Sequence, residues 1–342
     1  MAAAHPGGLV DLSIGTPVDP VPELIQDALA AAANAPGYPQ TAGTPALREA
    51  IAAWVTRAGN APAGFGVLPS IGSKELVVWL PTLLGIGPGD LVVIPKVCYP
   101  SYEVGVLLAG ATPVRADSLT EVGPSTKVRL VWINSPSNPT GRVLPAAHLR
   151  KVVDWARERG AVVASDECYL PLPGDTSPVS VLSVCTDGFD RVLALHSLSK
   201  RSNLAGYRAG FVSGDPALIK ELLEVRKHIG MLVPDPVQAA MVAALGDEEH
   251  VAVQQERYAR RRGVLRDALV KAGFTIDHSE AGLYLWATRG EDSWATVDWL
   301  AQRGILAAPG AFYGPTGAQH VRIALTATDE RVDAAAQRLV GV

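Results

Sequence analysis

Four apolar runs, LVVI (91–94), VRLVWI (128–133), AVVAS (161–165) and RVLALHS (191–197), recur through the middle of the chain with helical spacing between them. Each is continuous rather than alternating, so both faces of each strand must be covered, and strands joined by crossover helices lie parallel. A mostly parallel sheet with helices on both sides follows, which makes this an α/β chain. Helices are expected over residues 21–33, with Pro22 in the first turn, and over residues 45–58, opened by Thr44 and Pro45. The loop PGYPQTAG separates them.

That rhythm stops near Gly246. A charged segment from Glu248 to Ala272 has helical spacing, and short strands follow at FTID (274–277), LYLWAT (283–288) and VRIAL (321–325). Strands and helices regrouped in this way predict a smaller α+β domain completed by the N-terminal segment. The expected division is a large domain over 36–247 and a small domain over 1–35 and 248–342.

Charge and hydropathy narrow the function classes. The 30 Lys and Arg against 34 Asp and Glu give a net charge of −4, with no long block of either sign. The cluster Arg257, Arg260, Arg261 and Arg262 reads as a solvated helix face, so nucleic acid is not an expected partner. No run of about 18 apolar residues is present, so no membrane span is expected. Three cysteines without a CxxC pattern, and a start (MAAAHPGG) lacking a basic and apolar leader, point to the cytoplasm. His196, His228, His278 and His320 have no mutual metal spacing, so no metal site is expected.

The chemistry lies in three separated pieces: NSPSNPTG (134–141), SDECY (165–169) and SLSKRSNLAGYR (197–208). Singly they read as a turn, a cap and surface charge. In parallel sheets, however, ligands sit beyond the carboxyl ends of the strands, and Asn138, Asp166 and Lys200 each closely follow an expected strand. Three strands would deliver their polar residues to one crevice.

Jointly and in this order, the three pieces resemble the fold-type I, class I/II aminotransferases, enzymes dependent on pyridoxal 5'-phosphate (PLP). The resemblance implies the PLP-dependent transferase fold type I, with a mostly parallel seven-stranded sheet in the large domain. It implies Lys200 as the Schiff-base lysine and proton carrier, and Asp166 as the carboxylate facing the ring nitrogen. Asn138 and Tyr169 would bond the ring's phenolic oxygen, and Tyr99 would stack on the ring. Gly72, Ser73 and Lys74 open a helix whose N–H groups suit a phosphate, with Ser197 and Arg208 as further ligands and Ser199 as a second hydroxyl. Tyr38 would reach the phosphate of a neighbouring subunit, implying a homodimer. Arg322 would take the substrate carboxylate, with Gly15 and Asn138 beside it.

Longer stretches, among them VDLSIGTPVDPVPELIQDAL, IGSKELVVWLPTLLGIGPGD and KHIGMLVPDPVQAAMVAALGD, are similar to the succinyldiaminopimelate aminotransferases of actinobacterial lysine and diaminopimelate synthesis. That similarity implies glutamate and N-succinyl-2-amino-6-ketopimelate as substrates, with Lys74 and Arg142 as candidate ligands for distal carboxylates. The segment VDLSIGTP begins at residue 10, whereas family members usually carry an N-terminal arm before it, so either the start codon differs or the arm is lacking. Alternatives are another class I/II aminotransferase, a PLP β-lyase of the same fold, or, from a different class, a non-catalytic PLP-binding regulator.

Overall fold

A computed structural model describes residues 1–341. Its strands are β1 (Val10–Asp11), β2 (Gly66–Ile71), β3 (Leu91–Ile94), β4 (Thr112–Arg115), β5 (Val128–Asn134), β6 (Val162–Asp166), β7 (Val192–Ser197), β8 (Ala209–Gly214), β9 (Thr275–Asp277), β10 (Tyr284–Thr288), β11 (Ile305–Leu306), β12 (Ala308–Pro309) and β13 (His320–Ala324). The large sheet has seven strands in the order β2-β8-β7-β6-β5-β3-β4, and only β8 runs antiparallel to its neighbours.

The continuous apolar runs are explained by two cores. Val131, Ile133, Val163 and Ala194 face one, while Leu130, Trp132, Ala164, Leu193 and Leu195 face the other. Register then aligns the strand ends: Asn134 pairs with Asp166, Asp166 with Leu195, and Ser197 with Gly210. The order of strands reverses between β3 and β5, the place where a parallel sheet opens a crevice. The loops after those two strands carry Tyr99 and Asn138.

A separate antiparallel sheet, β12-β13-β10-β9, packs against the helices Glu249–Lys271 and Asp329–Val340 through Leu265, Leu285, Ile323 and Leu339. Val10 and Leu12 join this core, and β1 pairs in parallel with β11. Farther along, Ile25 is buried in the large-sheet core. The N-terminal segment therefore touches both cores.

Two helical expectations meet the structure differently. Thr44 caps the helix Pro45–Ala58, its Oγ1 accepting the Leu47 N–H at 3.2 Å. The helix expected over 21–33 is shorter, Glu23–Ala31, because Pro22 keeps an extended ψ of 139° and stands at the cap instead of inside the first turn. The arginine cluster needs a larger correction. Arg261 and Arg262 are buried: Arg261 pairs with Asp19 at 2.7 Å and with Asp329 at 2.7 Å, and Arg262 donates to the Ser279 and Gly282 carbonyls. That face of the helix is covered by the N-terminal segment and the 278–282 loop, so only its Arg260 side is solvated. No helix among the described residues is long and apolar enough to cross a membrane.

Candidate active site

The crevice is built from strand ends. Asp166, the last residue of β6, is buried, and its carboxylate accepts the Tyr102 hydroxyl at 2.7 Å and the Cys168 N–H at 3.2 Å. Burial pushes the Asp166 carboxyl above its ordinary value, and the bonds from Cys168 and Tyr102 oppose that rise. Asn134, closing β5, donates through Nδ2 to the Asp166 carbonyl at 2.8 Å and accepts the Asn138 N–H at 2.7 Å. That pair of bonds ties the NPTG loop to the carboxyl ends of β5 and β6.

Lys200 lies in the short helix Leu198–Arg201 that follows β7, and its Nζ donates to the Gly15 carbonyl. Burial pulls its pKa down to about 8; the proximity of Cys168 raises it, while Arg322 and Arg208 lower it further. Ser197 caps that helix, its Oγ accepting the Ser199 N–H at 3.2 Å.

Gly72 opens the helix Gly72–Leu83 at φ +66°, a conformation that suits glycine. A Cβ there would lie 2.3 Å from the Arg208 guanidinium, and a Cβ on Gly210 would lie 2.9 Å from the Ser73 amide nitrogen. Ser73 Oγ accepts the Cys168 thiol at 3.0 Å. The helix N-terminus, its N–H groups and Arg208 thus form a positive cradle that side chains have been kept out of.

Across the crevice stands the small sheet. Arg322 on β13 donates to Asn138 Oδ1 at 2.9 Å and to the Ser13 carbonyl, while its guanidinium lies 4.1 Å from the Tyr284 ring centroid. Tyr169 and Tyr284 share a hydroxyl–hydroxyl bond of 3.0 Å. Tyr99 meets Tyr102 edge to face at 5.9 Å, with Lys74 Nζ 5.8 Å from the Tyr99 ring centroid.

The sequence matches the family "Aminotransferase class I and II" over residues 8–339. It is 63% identical to "Probable aminotransferase Rv1178" of Mycobacterium tuberculosis, covering 99% of this chain and 82% of that one. It is 60% identical to 4-dedimethylamino-4-oxo-anhydrotetracycline transaminase OxyQ of Streptomyces rimosus, covering 99% and 95%. Among solved structures, the "probable N-succinyldiaminopimelate aminotransferase" of Thermus thermophilus superposes with a TM-score of 0.88 at 32% identity, covering 98% of this chain and 95% of that one. The chain belongs to the class I and II aminotransferases. Its cofactor is PLP, and its fold is the fold type I of PLP enzymes.

The residues of this aminotransferase fit that cofactor: a helix N-terminus at Gly72 with the Arg208 guanidinium against it, a buried carboxylate at Asp166, and an amine of depressed pKa at Lys200. The structure brings Gly15, Gly72, Ser73, Asn138, Asp166, Tyr169, Lys200, Arg208 and Arg322 around one crevice. Tyr38 stands apart, 96% exposed. Arg142 opens instead into a cavity of about 270 Å³ that none of Lys200, Asp166 or Arg208 lines. Tyr102, Asn134 and Tyr284 went unseen in the sequence, where each reads as an ordinary strand or helix residue.

Proposed function

We propose that this aminotransferase moves the amino group of glutamate onto N-succinyl-2-amino-6-ketopimelate, forming N-succinyl-LL-2,6-diaminopimelate and 2-oxoglutarate in lysine and diaminopimelate synthesis. The observation that carries this reading is Arg322, held at the crevice by Asn138, together with a second cation, the exposed Lys74, beside Tyr99. Both substrates carry an α-carboxylate and a distal carboxylate, which such a pair can meet. Likeness to the Thermus structure supports the same substrate class.

PLP, when bound, supplies the sink for electrons released at the substrate Cα. Lys200 would anchor it, and the burial that pulls its pKa down to about 8 favours the neutral amine needed to carry the Cα proton once the lysine is released. Asp166 presents the carboxylate for the ring nitrogen, aligned by Tyr102 and the Cys168 amide. Gly72, Ser73, Ser197 and Arg208 would hold the phosphate, Tyr99 would stack on the ring, and Asn138 and Tyr169 would supply donors to the ring's phenolic oxygen. Arg322, with Gly15 packed alongside, receives the α-carboxylate in a two-oxygen fork.

The same reading makes the enzyme a cytoplasmic homodimer in which the exposed Tyr38 reaches the partner's phosphate cradle. It takes 36–247 as the large domain, which holds the seven-stranded sheet, and 1–35 with 248–342 as the small one, which holds the four-stranded sheet and the β1–β11 pair, although Ile25 packs into the large-sheet core.

A second reading has its own support: the 60% identity to OxyQ favours a bulky polycyclic ketone as acceptor. An acceptor screen with glutamate as donor, following 2-oxoglutarate, separates the two. A kcat/KM for the succinylated keto acid at least tenfold above that for 4-dedimethylamino-4-oxo-anhydrotetracycline is expected. The reverse order would replace the first reading with the second.

A further inference from the structure

Tyr284 touches three parts of the crevice at once. It lies on β10, 3% exposed, on the strand that pairs with the Arg322 strand. Its hydroxyl is 3.0 Å from that of Tyr169, and its ring centroid is 4.1 Å from the Arg322 guanidinium carbon. A Cβ on Gly15 would fall 2.2 Å from the Tyr284 oxygen, so the backbone whose carbonyl receives Lys200 rests directly on this hydroxyl.

A buried hydroxyl must spend its proton on some acceptor. The Tyr169 oxygen is the acceptor within bonding distance of Tyr284 among the described residues. If Tyr284 donates there, Tyr169 keeps its own proton for another acceptor, and the two hydroxyls form a directed chain. The ring below Arg322 meanwhile supplies a cation–π contact that fixes the plane of the guanidinium.

We propose that Tyr284 is a positioning residue that aligns Tyr169 and Arg322 as one unit, its hydroxyl turning the Tyr169 proton toward the cofactor and its ring setting the carboxylate fork. This rests on the roles assigned above to Tyr169 and Arg322. The test is the pH midpoint of the visible absorbance of PLP-loaded enzyme, without substrate. A proton donated by Tyr169 to the ring oxygen favours the deprotonated form, so weakening it raises the midpoint.

Tyr284→Phe keeps the ring and loses the donor: the midpoint is expected to rise by about half to one unit, the worth of one hydrogen bond. KM for glutamate should stay within about twofold, since the ring remains under Arg322. In a Tyr169→Phe background, Tyr284→Phe should add no further shift, because neighbours in one chain are not additive. A shift with Tyr169→Phe but none with Tyr284→Phe would overturn this inference while leaving the Tyr169 assignment standing. No shift with Tyr169→Phe would remove the assignment and the inference together. Tyr284→Leu removes the ring and should raise KM for donor and acceptor about fivefold; an unchanged KM in folded protein would overturn the support given to Arg322.

Discussion

Arg322 and Asn138 meet across the crevice, the arginine Nη1 donating to the amide Oδ1 at 2.9 Å. The bond takes the only acceptor on the Asn138 side chain and leaves its NH2 group for another partner. One amide can therefore steer the carboxylate fork and donate to the cofactor. Asn138→Ala should leave a buried guanidinium N–H without its acceptor and let Arg322 turn. A bond to a charged group is worth about 1.5–3 kcal/mol, so KM for glutamate and for the keto acid should each rise at least tenfold. Steady-state kinetics check this, and a rise for only one substrate would make Arg322 a side-chain determinant instead.

Lys200 costs the cofactor-free protein stability. Its folded pKa of about 8 lies below its ordinary value of 10.5, so the unfolded chain binds more protons between those values and stability rises with pH across that window. Below about pH 8 the full cost is present. Lys200→Met should therefore raise the stability of the cofactor-free protein at pH 7 by roughly 2–3 kcal/mol, with the advantage fading by pH 10.5. Urea denaturation of both proteins at pH 7 and pH 10 measures it. The same variant should bind PLP without the visible band expected from the proposed anchoring at Lys200.

At Gly72 two penalties coincide. Gly72→Ala puts a Cβ at φ +66°, costing about 1–2 kcal/mol, and drives it within 2.3 Å of the Arg208 guanidinium. The displaced arginine should weaken PLP binding at least tenfold, read by fluorescence titration of the cofactor. Gly64→Ala, at a positive φ with nothing near its Cβ, controls for backbone strain alone. Equal losses in the two variants would show that the cradle is not at Gly72.

That Asn138, Asp166 and Lys200 gather at one crevice was legible because the signal is local: each sits at or just past the end of a strand whose apolar run is itself visible. Tyr102 and Tyr284 were not, because their meaning is set by partners 64 and 115 residues away. A tyrosine in a buried segment looks the same in sequence whether its hydroxyl orients a carboxylate or only finds a carbonyl. Arg261 and Arg262 misled for a related reason. Charge spacing reports a helix face, but whether that face meets water depends on where the N-terminal segment returns, and Asp19 brings it back onto the helix.

That return is the last thing to test. Burial pushes the Asp19 carboxyl up, but hydrogen bonds from Arg261 and Gln254 and the nearby arginine charge outweigh it, and the net is a pKa below the usual 3.8. A depressed carboxyl gives stability that is present above its unfolded value and lost as pH falls through the folded one. Removing one partner of a buried pair costs about 3–5 kcal/mol. Asp329 remains on Arg261 Nε after the change, which reduces the loss. Asp19→Asn should thus lower stability by roughly 2 kcal/mol at pH 7 and by less at pH 3, below the ordinary carboxyl value. Since Asp19 follows Gly15 by four residues, loosening it should also free the backbone over Lys200. Urea midpoints at the two pH values, with hydrogen exchange over residues 10–20, decide both points; equal midpoints at pH 7 would mean the pair holds nothing.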